Sequence, residues 1–292
     1  MTEQSATNTP SAPVVAPLST SGRWLVLVTA FLGWMCAGWQ LAITSLAMRE
    51  AASSLLVDPG EQLVGAWFGR LTCAFLLGAA CGGYVLGWVG DRYGRSKAMA
   101  CSILCYAVFS AAAVYVQNPY QLWLLRFLCC LGVGGMWPNG IALVSEAWPN
   151  FSRPVLAGAI GASANLGIMI VSAVARERAI TVDDWHWVMW FGASPFVLGL
   201  FVWVAVPESP NWRAWRDGLR LDTGKDPGKD PGKDRTGLAE IFRRPILATT
   251  ILGIVLGTIP LFGGWGNSNW VMPWASQVGE RIGDPRDRKS VV

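Results

Sequence analysis

Gly87-Trp-Val-Gly90-Asp91-Arg92-Tyr-Gly94-Arg95-Ser-Lys97 is a compact charged turn set between two long apolar runs. A run such as Cys73 to Val89 is long enough to enter a bilayer as helix, so the charges that follow it sit in water at one membrane face. Glycines 87, 90 and 94 let two backbones approach and the chain reverse. Asp91 is placed to accept hydrogen bonds from Arg92, from Arg95 or from a helix N-terminus.

The chain around this turn has the composition of a membrane protein. Of its 292 residues 52% are hydrophobic and 14% charged, and the mean hydropathy is +0.37. A net charge of +4, carried mostly in short loops, gives no footprint for nucleic acid. The seven cysteines fall inside apolar runs, none forms a Cys-x-x-Cys pair, and His186 is the sole histidine. Neither a metal centre nor a disulfide framework is expected, and no cofactor.

Apolar runs predict spanning helices at 24–47, 64–89, 97–116, 120–146, 155–175, 186–206 and 246–264. With a cytoplasmic N-terminus, inner segments carry fourteen Lys and Arg and the outer loops before the seventh span carry three, the bias expected in a plasma (inner) membrane. Residues 1–22, rich in Ser, Thr, Pro and Ala, read as a disordered cytoplasmic tail. Residues 23–206 form a six-helix bundle, and 207–245 a cytoplasmic linker whose repeated Gly-Lys-Asp-Pro has no apolar face to bury. The seventh span and its surroundings occupy 246–275, and 276–292 is a polar tail.

The spacing Gly-x-x-x-Asp-Arg-x-Gly-Arg resembles the loop signature of the major facilitator superfamily of secondary transporters. Arg126-Phe-Leu-Cys-Cys-Leu-Gly132-Val-Gly134-Gly135-Met-Trp-Pro138 resembles the fourth helix of that family. Ser145-Glu146-Ala-Trp-Pro149 with Arg153 resembles the cytoplasmic exit of that helix. Pro207-Glu208-Ser209-Pro210-Asn211-Trp212 is similar to the segment after helix six in sugar porters and organic-acid symporters. The resemblance implies an all-α integral membrane fold: a six-helix N-terminal bundle plus one further transmembrane helix of a truncated twelve-helix architecture. It also implies alternating-access transport of a small organic solute such as a sugar or organic acid, with a coupling proton as co-substrate and the lipid bilayer as surroundings.

The charges at the inner helix ends then read as a conformational lock. Gly87 and Gly94 shape the turn, while Asp91, Glu146 and Glu208 face Arg92, Arg95 and Arg153 in pairs that break and re-form. Arg126 lies seven residues past Pro119, roughly 10 Å into the membrane at 1.5 Å per residue. There it either neutralises an anionic substrate or bonds carbonyls of helix one. Gln40, Asn139 and Asn165, near the midplane of helices one, four and five, are the other candidate substrate contacts, with interhelical hydrogen bonding as the alternative. Small residues at 79, 83 and 87 and at 158 and 162 are expected to seat close helix contacts. Two departures from the family stand out. Ala37-Gly38-Trp39-Gln40 replaces the Asp-Gly-x-Asp of organic-acid symporters, leaving helix one without carboxylates for proton coupling. The fifth helix lacks the Gly-Pro element of drug/proton antiporters. Seven helices also suit a receptor, but the seventh, 246–264, has no lysine for a retinal Schiff base, and no catalytic constellation points to an enzyme.

Overall fold

Three helix starts carry the capping chemistry that the sequence announces. Ser19 Oγ accepts from Gly22 N at 3.2 Å, Asn118 Oδ1 accepts from Gln121 N at 2.9 Å just ahead of Pro119, and Ser209 Oγ accepts from Trp212 N at 3.1 Å just ahead of Pro210. The computed structural model describes residues 17–57, 60–217, 246–259 and a few isolated positions beyond them. All regular structure among these residues is helical: α1 (Thr20–Leu55), α2 (Glu61–Tyr93), α3 (Arg95–Ala112, closed by a 3-10 turn at Ala113–Tyr115), α4 (Pro119–Ala147), α5 (Arg153–Glu177), α6 (His186–Ala193), α7 (Phe196–Ala205), α8 (Pro210–Arg216) and α9 (Leu247–Ile259). The chain divides into two units. Residues 14–219 form the bundle. The other unit, residues 1–13 with 220–292, contains α9.

The expected spans are present, with α1, α2, α4 and α5 extending beyond their apolar runs. α1 has 36 residues, about 54 Å at 1.5 Å per residue, well beyond a hydrocarbon core of roughly 30 Å. The sixth span, expected as one helix over 186–206, is two. Pro195 has no N–H to continue the ladder, and Ser194 turns its own N–H (3.1 Å) and hydroxyl (2.8 Å) back to the Phe191 carbonyl. α6 and α7 together still make one crossing, so six helical segments among the described residues are long and apolar enough to span. α9 covers part of the expected seventh span. Most of the segments read as terminal tails and linker, 1–22, 207–245 and 276–292, lies outside the described residues.

Within the bundle α2 packs on α4, α4 on α3 and α1, and α1 on α5, with α6 and α7 behind against α3 and α1. The closest seams are backbone to backbone. A Cβ at Gly82 would overlap the Leu131 carbonyl, one at Gly78 the Phe127 carbonyl, and one at Gly134 the Ala79 carbonyl. Gly38 and Gly167 seat α1 and α5 in the same way. Of the small-residue stripe expected at 79, 83 and 87, Ala79 and Gly83 meet Gly134 of α4, and Gly78 and Gly82 add a second row beside it. Gly87 and Gly158 have nothing within 4 Å, and Ala162 is exposed. Two adjoining four-residue rows on α2 therefore share the packing against α4. Toward the end of the bundle away from Gly94 the core is large: Trp67, Phe68 and Leu71 of α2 cluster with Leu122, Trp185 and Met189.

Candidate functional site

Two polar clusters and one open face distinguish this bundle. The first cluster is at the α2–α3 turn. α2 ends and α3 begins at Gly94, whose φ of 116° and ψ of 143° lie in a region essentially reserved for glycine. The Glu208 carboxylate, arriving from the α7–α8 link, occupies the space where a side chain at 94 would sit. Its Oε1 accepts from Ser96 N and from Ser209 N, both at 2.9 Å, capping the first turn of α3 from a distant part of the chain. Ser96 Oγ donates to the Val206 carbonyl at 3.0 Å, and Ser209 Oγ donates to Glu146 Oε2 at the end of α4. Glu208 Oε2 is buried without a partner.

The expected lock residues are therefore gathered, with a different wiring. Asp91 pairs with Arg95 at 2.5 Å, one helical turn apart. Glu146 and Glu208 are joined through Ser209 and tied to α3 through Ser96. Arg92 instead lies over the Trp88 and Tyr93 rings, 5.8 and 5.9 Å from their centroids, and Arg153 is exposed at the start of α5. Among the described residues neither takes part in an ion pair. Gly87 is half-buried with open space beside it. Sequence reasoning missed the two serines. The signals were there: Ser96 is the second residue of a helix that opens without its own side-chain cap, and Ser209 precedes Pro210 as an N-cap precedes a first-turn proline.

The second cluster surrounds Arg126 inside the bundle. Arg126 is 2% exposed. Nη1 donates to Gln40 Oε1 at 3.0 Å and approaches Cys129 Sγ at 3.8 Å. Nη2 donates to Thr44 Oγ1 at 2.5 Å and to the Gln40 carbonyl. Gln40 passes the bond onward, donating Nε2 to the Gly192 carbonyl at 2.8 Å. The carboxylates of the six spans, Glu50, Glu61, Asp91, Glu146 and Glu177, all belong to helix ends, so this cation is held by neutral dipoles alone. Nε has no partner. Of the two roles open to Arg126 in the sequence, bonding helix one is the one realised in this arrangement. Tyr106 continues the polar core, its hydroxyl donating to the Gly33 carbonyl at 3.1 Å. Replacing Tyr106 with Phe is expected to lower stability by about 1 kcal/mol; thermal unfolding of the purified protein in detergent, with no shift in midpoint, would contradict this.

The remaining candidates separate. Asn139 is fully buried, donating to the Leu86 carbonyl at 2.9 Å and the Gly135 carbonyl at 2.8 Å, so it ties α4 to α2. Asn165 is exposed on α5. It belongs to the open face, which arises because α2 and α5 flank α4 and α1 without packing on each other. Trp34 of α1 and Trp137 of α4 meet on this face, ring centroids 4.9 Å apart and tilted by 49°.

Comparison with known proteins agrees with this architecture. The family model described as Major Facilitator Superfamily matches residues 24–281. The chain is 29% identical over 216 residues to the 4-hydroxybenzoate transporter PcaK of Pseudomonas aeruginosa, covering 70% of this chain and 47% of that protein. It is 30% identical over 195 residues to a gallate transporter of Pseudomonas putida, covering 66% of this chain and 42% of the relative. The chain thus spans less than half the length of these relatives. The fold superposes on the xylose transporter XylE from E. coli, in a partially occluded inward-open conformation, with a TM-score of 0.60 and 20% identity over 68% of this chain and 51% of that one.

Proposed function

The chain belongs to the major facilitator superfamily and is a multi-pass integral membrane protein, and from that premise we propose that it serves the transmembrane transport of a small organic solute, a sugar or organic acid, by alternating access. The observation that carries this reading is the inner-turn cluster. Three helix ends meet there through hydrogen bonds and one ion pair rather than through apolar packing. Such contacts exchange readily with water when the inner side opens, whereas a large interlocked apolar seam does not.

The domain organisation proposed is a six-helix bundle over 23–206, a cytoplasmic linker over 207–245 and a seventh transmembrane helix within 246–275, with tails at 1–22 and 276–292. The N-terminus lies on the cytoplasmic side of the inner membrane. In this scheme Gly87, Asp91, Arg92, Gly94, Arg95, Glu146, Arg153 and Glu208 make up the lock. Arg92 and Arg153 are the cations left available to pair when the helix ends rearrange. Asn165 is the direct solute contact, while Gln40, Arg126 and Asn139 position α1 and α4. A proton is the proposed co-substrate. Because α1 has no carboxylate in its interior, it would be carried outside that helix.

Uptake of radiolabelled 4-hydroxybenzoate and xylose into proteoliposomes, with and without an imposed proton gradient, tests the function. Asp91→Asn is expected to reduce uptake at least tenfold while membrane insertion and the thermal midpoint stay within error. In its ion pair with Arg95 the Asp91 carboxylate is 65% exposed, so the pair contributes at most about 1 kcal/mol to folding. Wild-type uptake rates in the variant would remove the lock.

A further inference from the structure

We infer that α8 is a docking surface for anionic phospholipid of the surrounding bilayer, with Arg213 and Arg216 on lipid phosphates and Trp215 among the headgroups. The surface needs only the bilayer, not a particular solute.

Seven residues, Pro210-Asn-Trp-Arg-Ala-Trp-Arg216, make α8, and four of them are Trp or Arg. Such a segment is far too short to span and has the composition of one that lies in the interface. Its position agrees. The chain leaving α7 does not run on into water but crosses the ends of other helices. Ser96 Oγ at the start of α3 donates to the Val206 carbonyl, and Ser209 Oγ donates to Glu146 at the end of α4. Pro207 lies against the first turn of α1, where a Cβ added to Gly22 would be 3.4 Å from Pro207 Cγ. Trp24 and Trp148 mark the same level, 5.3 Å apart in an edge-to-face pair, with the Trp148 indole donating to the Arg23 carbonyl. Tryptophan gathers at the interface because its ring is apolar and its N–H is wet.

The two sides of α8 differ. Pro210 and Ala214, one turn apart, are buried toward the bundle, on which α8 packs through α4. Arg213 and Arg216 are exposed, Trp215 is 42% exposed, and the Arg216 guanidinium lies 5.4 Å from the Trp212 ring centroid. What covers the exposed side follows from α7. Phe201, Trp203 and Val204 are exposed side chains in the last turns of a spanning helix, so lipid acyl chains cover them. Only Val206 to Ser209 separate α7 from α8, which puts the headgroups of those lipids beside α8. Charge then selects the headgroup. At this end of the bundle Arg92, Lys97, Arg153, Arg213 and Arg216 are exposed, while the exposed carboxylates Asp91 and Asp217 each already pair with an arginine. At the opposite end Glu50, Glu61, Glu177, Asp183 and Asp184 outnumber the arginines. A guanidinium fork matches phosphate oxygens, and an anionic headgroup carries no choline to offset the attraction.

The test is hydrogen–deuterium exchange of the purified full chain in lipid nanodiscs, one chain per disc, made of POPC alone or of a POPC–POPG mixture. Amides of residues 207–217 should exchange at least about fivefold more slowly in the mixture, the attraction of one basic residue to an anionic surface, and high salt should shrink the difference. Arg213→Gln combined with Arg216→Gln is expected to abolish it, Arg213→Lys combined with Arg216→Lys to keep it, and Arg176→Gln at the opposite end to leave it unchanged. Equal exchange of the wild-type chain in the two discs overturns the surface. So does a difference that survives the double Gln variant, or an equal loss in the Lys pair or in Arg176→Gln. Slowing produced in POPC discs by soluble poly-glutamate or by a second chain per disc, and not by POPG, also overturns it, in favour of a protein partner. Thermal midpoints identify a variant that fails to fold. If the double Gln variant does so, Arg213→Gln and Arg216→Gln decide singly, each expected to remove part of the difference, and no change in either overturns the surface.

Discussion

Gly94→Ala should destabilise the bundle by about 3 kcal/mol, among the largest effects available to a single methyl group. Two independent terms contribute. The backbone at φ 116° and ψ 143° places a residue with a Cβ in a region that costs about 1–3 kcal/mol, and that Cβ would overlap the Glu208 carboxylate. Moving Glu208 away strips Ser96 N and Ser209 N of their shared acceptor, at about 1–3 kcal/mol for a buried donor left unpaired. Thermal unfolding in detergent reads the sum, and the double variant Gly94→Ala, Glu208→Ala separates its parts. If the backbone term is real, the double variant stays less stable than Glu208→Ala alone. A Gly94→Ala midpoint equal to wild type would mean that the turn adopts another conformation.

Arg126→Gln is the second large expectation, and its readout is transport. The guanidinium binds the Gln40 side chain, the Gln40 carbonyl and the Thr44 hydroxyl together; one amide cannot reach all three. α1 then loses its attachment to α4 at the depth where Gln40 also reaches Gly192. Uptake should fall at least tenfold for anionic and neutral solutes alike, because the change displaces a helix that lines the open face. Stability should fall by less than the 3–5 kcal/mol typical of a broken buried ion pair, since no opposite charge is stranded. Selective loss of anionic uptake would instead place the guanidinium on the solute.

The two residues show where sequence reasoning reached and where it stopped. That Arg126 faces the bundle interior follows from its depth in an apolar run, because an ionised group cannot face lipid there at tolerable cost. Which acceptors it finds does not follow. Gln40 and Thr44 are 86 and 82 residues away, and only helix packing brings them round. The crossings themselves were legible, since the bilayer demands long apolar helices whatever the tertiary contacts. The break at Pro195 was written in the sequence too, but hydropathy averages over it. At the α2–α3 turn the acidic members were legible as charges. Their wiring was not, because Glu208 accepts from backbone N–H groups and Glu146 from a serine hydroxyl, which any sequence supplies in abundance. Asn139 and Asn165 looked equivalent at midplane. One lies under Leu86 and the other on the open face, a difference set by the rotation of each helix about its own axis.

The cation held only by neutral dipoles has an electrical consequence. Arg126 places a positive charge within the bundle, away from the helix ends. A small inorganic cation passing 10 Å away, at an effective dielectric constant of 20, meets about 1.7 kcal/mol of repulsion, more than a tenfold depletion. If the proposed solute path runs through this bundle, sodium and potassium ions would be discouraged from following it, and a residue that need never touch the solute would spare the membrane potential a short circuit.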